Sequence, residues 1–276
     1  MNKKSIIIIG GIILLVSLTY FLVPKKEVQF TGTISPQSEQ KIKAEQKIKD
    51  VTDFYSITAT YPHESLDTKN VMEDFVKYKV NEMKEAWKIG GEIYREEQKI
   101  ATNFPDRPKM QYQYDISYGK HESALYGTVS YIFTTYEFTG GANGNTKVDT
   151  FTFNKDGRVE IDSVLSLATD NNDIKLSRVL ADTAMNDAEE GFDKTMLYEG
   201  LGLAYLKADG KTLDTKKCYC DGFFFGSNFQ NFVITDEGIE FLFSKYQIAP
   251  GAQGTPKIML PWKLLQGYLV GSFKGK

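Results

Sequence analysis

The sequence has 276 residues, 41% hydrophobic and 13% aromatic, which is enough apolar material for one or two globular domains. Its formal net charge of −3 is unevenly distributed, because the first 26 residues contain four lysines and no acidic residue. The rest of the chain carries 29 of the 33 basic side chains and all 36 acidic ones, a net charge of −7. This mildly acidic body argues against nucleic acid as a partner, since phosphate backbones are bound by basic faces.

Residues 6–23 form an uncharged hydrophobic segment with lysines on both sides. Eighteen helical residues span about 27 Å, close to the thickness of the hydrocarbon core of a bilayer. A cleaved signal peptide is the alternative, but no small-x-small cleavage site follows the segment. We therefore predict that residues 1–24 are an uncleaved signal anchor with one transmembrane helix. The flanking lysines leave the orientation open, and the large polar domain behind the segment favours an extracytoplasmic location.

Residues 25–50 are predicted to be a polar spacer, because they contain too few apolar residues to bury a face. A short helix and a solvated stalk are the two forms that this composition allows. In either form the spacer separates the folded part from the membrane.

Apolar periodicity predicts the elements of the folded part. Val71, Phe75 and Trp87 mark the apolar side of a helix that starts at Asp67 or Thr68. We expect Gly90-Gly91 to interrupt it, with residues 92–99 as an alternative continuation of the helix. The predicted strands are 54–61, 112–118, 124–138, 148–153, 158–161, 231–235, 239–246 and 257–260, and the further helices are 171–188, 193–206 and 262–269. Strands grouped in hairpins, with helices between the groups, predict an α+β fold with antiparallel sheets and packed helices.

The two cysteines, Cys218 and Cys220, are separated by one residue. Two thiols without a nearby histidine cannot fill a four-coordinate zinc site, so no metal or other cofactor is predicted. A disulfide between them would need a turn, which Asp221-Gly222 can supply. The pair is therefore either a disulfide or two idle thiols in a surface loop.

No catalytic motif stands out. Gly-x-Ser-x-Gly and His-Glu-x-x-His are absent from the sequence, and the only histidines, His63 and His121, are isolated. A glycan hydrolase that uses an Asp/Glu pair is an alternative, although the sequence singles out no pair. The aromatic residues of 131–138 are expected to fill the core on one strand face, while the other face, with Thr134 and Glu137, can border a cleft.

Two Gly-rich loops, residues 139–146 and 249–254, each follow a predicted strand. The first lacks the glycine spacing and the Lys-Ser/Thr ending of a phosphate-binding loop. Glycines suit wide turns that need positive φ values, and loops held by a rigid sheet often carry recognition. The candidate binding residues are Tyr136, Phe138, Gly140, Gly141, Asn143, Gly144, Tyr246, Pro250, Gly251, Gln253 and Gly254.

The stretch from Tyr136 to Gly144, which contains Thr139-Gly140-Gly141-Ala142-Asn143, resembles a turn in the extracytoplasmic C-terminal domain of RsiV-type anti-sigma factors. Residues 148–165 and 241–261 continue the resemblance. Residues 55–62 and the helix after them are similar to the preceding domain of those proteins and of PdaC-type peptidoglycan deacetylases. The resemblance covers most of residues 51–270 and implies two parts, 51–138 and 139–276.

Proteins of this type are bacterial, membrane-anchored and outward-facing, and the RsiV-type domain is a receptor that binds lysozyme. The resemblance therefore implies a binding or sensor module for cell-wall glycan, or for a wall-acting protein such as lysozyme. This sequence has Asn143 where the family turn has histidine, no deacetylase domain, and only five residues before the hydrophobic segment. We thus expect no sigma-factor-binding segment, and a binding protein rather than an enzyme. A purely structural envelope protein is a further alternative.

Overall fold

The computed structural model describes residues 45–63, 66–100, 111–140, 142–186, 191–218 and 225–274. The chain divides into a unit of residues 1–41, outside these ranges, and a unit of residues 42–276 that contains every element below. The predicted signal anchor lies outside the described residues. Within the described ranges, every helix is too short or too polar to span a bilayer.

The larger sheet has six strands in sequence order. They are β1 (Gln46–Val51), β2 (Tyr55–Tyr61), β3 (Tyr112–Ser123), β4 (Thr128–Phe138), β5 (Asn145–Asn154) and β6 (Gly157–Val159). Neighbouring strands are antiparallel except β2 and β3, which are parallel. A parallel pair needs a crossover connection, and helix α1 (Leu66–Ile100) provides it.

Helix α1 covers one face of the larger sheet because its apolar residues recur at helical spacing. Met72, Val76 and Val80 are fully or almost fully buried against strand residues such as Ile57 and Phe133. Strand β2 presents every second side chain to this core, as its alternating burial shows. The helix thus fixes which side chains of β3, β4 and β5 can reach solvent on this face.

The smaller sheet has three antiparallel strands, β7 (Phe232–Ile234), β8 (Gly238–Leu242) and β9 (Lys257–Pro261). Helix α2 (Asn172–Asn186) packs on it through residues such as Leu176 and Leu180, which share a core with Phe241 of β8. Helices α3 (Lys194–Gly200) and α4 (Trp262–Leu265) complete this part. The two sheets and their helices confirm the α+β class with mainly antiparallel sheets.

The two sheets meet along β5 and β7. Val148 of β5 packs with Val233 and Leu242 of the smaller sheet in a small apolar cluster. The Asn231 amide nitrogen donates to the Val148 carbonyl at 2.9 Å, and its oxygen accepts from the Thr150 amide at 3.1 Å. The Asn231 side chain thus satisfies a backbone carbonyl and a backbone amide of β5, as the backbone of a neighbouring strand would.

The spacer prediction was wrong for residues 46–50, which belong to strand β1. Only Ile48 of this strand packs against the core, and Lys47 and Lys49 point to solvent. An edge strand needs few apolar residues because its backbone pairs with β2 over six residues. The hairpin is closed by Thr52, whose hydroxyl accepts from the Tyr55 amide at 3.0 Å.

Several further boundaries differ from the prediction. The strand predicted over 239–246 ends at Leu242, and the helix predicted over 262–269 ends at Leu265. Helix α1 runs through Gly90-Gly91 without interruption. Strand β4 starts at Thr128 rather than at residue 124, because a turn with Gly127 at φ +61° precedes it. The helix predicted over 193–206 ends at Gly200, and Gly202 at φ +78° separates it from a 3-10 turn. Both positive φ values are incompatible with continued regular structure.

The implied division between residues 138 and 139 falls in the turn between β4 and β5. These two strands pair from Val129–Phe153 to Glu137–Asn145, so the larger sheet contains residues from both implied parts. The division into a 51–138 part and a 139–276 part stays a prediction.

Candidate binding surface and adjoining cleft

The two Gly-rich loops lie next to each other, and Lys245 connects them. The Lys245 backbone amide donates to the Thr146 carbonyl at 2.9 Å, and its ammonium donates to the Gly144 carbonyl, also at 2.9 Å. The same ammonium lies 5.0 Å from the centroid of the Tyr246 ring. We call residues 136–140, 142–146 and 244–254 together the loop surface.

A tyrosine ring packs directly on a glycine in each loop. A Cβ atom on Gly144 would overlap the Tyr136 ring, and a Cβ atom on Gly251 would overlap the Tyr246 ring. Gly251 does not have a positive φ, so the ring contact is the reason for glycine at this position. From the sequence we expected these glycines to be required for positive φ values. At Gly144 and Gly251, glycine is required instead because a tyrosine ring lies too close to leave room for a Cβ atom.

Tyr246 is the most exposed aromatic residue of the loop surface, with 51% of its area accessible. Its φ is +68°, a left-handed conformation that a bulky residue rarely adopts. Such a backbone costs about 1 kcal/mol or more and persists only where the surroundings hold it. Here the ring lies on Gly251 and beside the Lys245 ammonium. The fold therefore presents this ring to solvent in a fixed orientation.

The other predicted binding residues differ in exposure and in backbone conformation. Asn143 and Pro250 are exposed, while Phe138 and Gln253 are partly buried. Gly140 and Gly254 have φ values of +93° and +70°, as expected for glycines in wide turns. Gly141 lies outside the described residues.

Cys218 is buried and disulfide-bonded. Cys220, the other cysteine of the sequence, lies outside the described residues. The described residues contain no group of three His, Cys, Asp or Glu side chains placed to hold a metal ion.

A cleft of about 200 Å³ opens between α1 and the face of the larger sheet opposite to Tyr136. It lies beside the same β4–β5 turn, so β4 sends Tyr136 to the loop surface and Glu137 to the cleft. The prediction that Thr134 and Glu137 share the strand face opposite to the core was wrong. Glu137 lies on the same face as Phe133 and borders the cleft there, whereas Thr134 lies on the opposite face. The lining residues are Lys79, Glu82, Met83, Ala86, Tyr114, Thr135, Glu137, Asn145, Lys147 and Asp149.

Buried polar groups distinguish this cleft. Burial raises the pKa of the Asp149 carboxyl, and the ammonium groups of Lys79 and Lys147 oppose that rise only in part. The pKa of Tyr114 is also raised, first by burial and then by the negative charges of Glu137, Glu82 and Asp149. The Thr135 hydroxyl is buried, and the described residues provide no hydrogen-bond partner for it.

Glu137 and Asp149, the two carboxylates that the strands contribute to the cleft, lie far apart along the sheet. Glu137 pairs with Asn145 and Asp149 pairs with Phe133, so the two acids lie four residues apart along the sheet. Four residues correspond to about 13 Å between backbone positions. Paired catalytic carboxyl groups are separated by about 5–9.5 Å. The offset argues against Glu137 and Asp149 as such a pair.

Lys245 was not identified from the sequence, and Glu137 was the one residue of the cleft that the sequence analysis named as bordering a cleft. Lys245 is one of many lysines, and its role depends on a carbonyl about one hundred residues earlier in the chain. The cleft combines one face of α1 with alternate residues of three strands. The sequence contains one indication of a solvent-filled pocket on that face. Polar residues occur at alternate, core-facing positions of the strands, namely Thr135, Glu137 and Lys147.

The fold is thus that of a two-sheet α+β domain with a loop surface at one end. Residues 204–263 match a family described as a protein of unknown function, DUF3298. This match includes the smaller sheet and the whole second loop. None of the curated proteins matches the chain.

Two solved structures are similar to this one. A DUF3298 family member from Bacteroides fragilis is 16% identical, with 83% of this chain and 93% of that chain covered, at a TM-score of 0.55. A DUF3298 family protein from Pseudomonas aeruginosa is 13% identical, with 84% and 96% covered, at a TM-score of 0.49. The first likeness shows that the fold of this chain is shared with a DUF3298 protein.

Proposed function

We propose that the chain is a membrane-anchored binding module, displayed outside the cytoplasmic membrane, that binds cell-wall glycan through the loop surface. The observation that carries this proposal is the exposed Tyr246 ring, held in a strained backbone conformation by Gly251 and Lys245. Strained residues with fixed side chains concentrate at functional sites. An aromatic face beside hydrogen-bonding groups suits the apolar face and hydroxyl groups of a sugar ring.

The proposed location outside the membrane has support of its own. Residues 6–23 are long and apolar enough for a signal anchor. Cys218 is disulfide-bonded, and disulfides persist mainly in oxidising compartments outside the cytoplasm. Neither observation depends on what the loop surface binds.

Co-sedimentation of the full chain, purified in detergent, with intact peptidoglycan sacculi tests the proposal. We expect pelleting that resists added salt, because stacking on an aromatic ring is not screened as charge pairs are. Tyr246→Asn should weaken binding about tenfold or more, since removal of an anchoring aromatic residue costs about 2 kcal/mol. Asparagine tolerates the left-handed backbone, so this variant should fold.

Tyr78→Asn is the matched control. Tyr78 is also an exposed tyrosine, 63% accessible, but it lies on α1 away from the loop surface. This variant should pellet like the wild type. Wild-type protein that stays in the supernatant at every salt concentration would overturn direct wall binding. A wall-acting protein would then be the ligand to test, with immobilised lysozyme as the first.

A further inference from the structure

The cleft between α1 and the larger sheet contains a buried polar group, the hydroxyl of Thr135. Thr135 is only 4% exposed, and its hydroxyl lacks a hydrogen-bond partner among the described residues. Nearly all buried polar groups in folded proteins have such a partner. We propose that this cleft is a second binding site, which takes a small zwitterion of dipeptide size, with an ammonium group at one end and a carboxylate at the other.

The cleft has its two lysines toward one end along α1 and its two glutamates toward the other end. The ring of Phe75 contacts the rings of Phe133 and Phe151, whereas Trp87, three turns later, contacts Tyr112 and Tyr114. The first part of α1 therefore lies over the Phe133 level of the sheet and the later part over the Tyr114 level.

The charged residues follow this direction. Lys79 precedes Glu82 on the helix, so the lysine lies toward the Phe133 level and the glutamate toward the Tyr114 level. On the strands, Asp149 is opposite Phe133, and Glu137 is opposite Tyr114. Lys147 lies between these levels, opposite Thr135.

The cleft thus has a lysine end, with Lys79 and Lys147 around Asp149, and a glutamate end, with Glu82 and Glu137 beside Tyr114. A simple anion would face the glutamates, and a simple cation would face the lysines. A ligand with both charges complements both ends. Thr135 lies opposite Lys147 and Tyr114 lies opposite Glu137, and their hydroxyl groups can bond to an uncharged polar group such as a peptide unit.

Dimensions select the size of the ligand. Lys147 and Glu137 lie two residues apart along the strands, which is about 7 Å. A dipeptide also spans about 7 Å when extended, at about 3.5 Å per residue, and a single amino acid spans half of that. The cleft volume of about 200 Å³ is below the roughly 300–1,000 Å³ of sites for drug-sized ligands.

Calorimetric titration of the full chain in detergent with alanyl-alanine tests this inference. We expect saturable binding of alanyl-alanine and binding at least tenfold weaker for free alanine. Acetylation of the amino group or amidation of the carboxyl group should each weaken binding about 10- to 100-fold, because each removes a hydrogen bond to a charged group.

Variants at the two ends assign the site. Glu137→Gln keeps the size of the side chain and removes its charge, and Lys147→Gln replaces the ammonium with a shorter neutral amide. Each should reduce affinity about tenfold or more. Lys155→Gln, at the exposed turn between β5 and β6, is the control and should bind like the wild type. Thermal melting of each variant checks that it is folded.

Several results would overturn the inference. They are the absence of wild-type binding at millimolar dipeptide, equal binding of the blocked dipeptides, and unchanged affinity in both end variants. Preferential binding of N-acetylglucosamine would also contradict it. Tyr246→Asn should leave dipeptide binding intact, so failure of this site and failure of the loop surface can be told apart.

Discussion

Asp149 is a carboxyl group that the fold makes harder to ionise. Burial raises its pKa above the ordinary value of 3.8, and the ammonium groups of Lys79 and Lys147 compensate only in part. Between 3.8 and the raised folded-state value, the folded chain binds more protons at this site than the unfolded chain does. Stability therefore falls as the pH rises through this window, and above the folded-state value the loss is complete.

Asp149→Asn should consequently stabilise the protein at pH 7, because it removes the unfavourable burial of a charge. The advantage should shrink as the pH is lowered and should be gone below pH 3.8, where Asp149 is protonated in both states. Urea denaturation at both pH values measures this difference. Asp182 is an exposed residue of α2, and Asp182→Asn controls for the effect of replacing a carboxyl group with an amide outside the cleft. A variant that is less stable than the wild type at pH 7 would contradict the argument.

Residue-scale sequence analysis identified the tyrosines and glycines of the loop surface but not how they act together. The composition of the loops indicated that Gly144 and Gly251 are needed for turns. The structure shows that they are needed because the rings of Tyr136 and Tyr246 pack on them. A ring contact between residues several positions apart leaves no periodic signal. Lys245 was missed for the same reason, since its partners come from the other loop.

Elements with strong periodicity were predictable. The apolar stripe of α1 and the alternation in β2 arise from local geometry, so the sequence shows them directly. Strand β1 was missed because Ile48 is its one apolar residue packed on the core. Its pairing with β2 is a property of the hairpin rather than of its own residues.

The stripe of α1 also allows a prediction at this scale. Met72 is fully buried between the helix and the larger sheet. Met72→Ala should lower the free energy of unfolding by about 2–5 kcal/mol, because it leaves a cavity in the core. Tyr78→Ala on the exposed side of the same helix should change it by less than about 0.5 kcal/mol. Chemical denaturation distinguishes the two, and equal effects would mean that α1 does not pack as described.

The whole molecule depends on the contact between its two sheets, where Asn231 bonds to the backbone of β5. Asn231→Ala leaves the Val148 carbonyl and the Thr150 amide without this partner. Each unsatisfied buried group costs about 1–3 kcal/mol, so for two groups we expect a loss of about 2–6 kcal/mol. Urea denaturation measures it, with Asn186→Ala at the exposed end of α2 as the control. A loss below about 1 kcal/mol would show that the sheets are held together mainly by the apolar cluster.

The α+β class of the molecule followed from the order of strands and helices, because hairpins and the helices between them are local features. The arrangement of the sheets did not follow from it. The parallel pairing of β2 with β3 and the contact of β5 with β7 join residues that are far apart in the sequence. Pairings of this kind depend on global packing, which no local pattern records.

The parallel pair has a consequence for how the chain assembles as it is synthesised. Fifty residues separate Tyr61 from Tyr112, compared with six between β4 and β5. Closing the longer connection costs about 2 kcal/mol more in chain entropy. The strands from β3 onward therefore pair with a smaller entropic cost than β2 and β3 do. At a synthesis rate of about 5–20 residues per second, roughly 3–10 seconds pass between the synthesis of β2 and that of β3. During that interval β1, with its lysines, already covers one edge of β2, and the other edge stays open until β3 arrives.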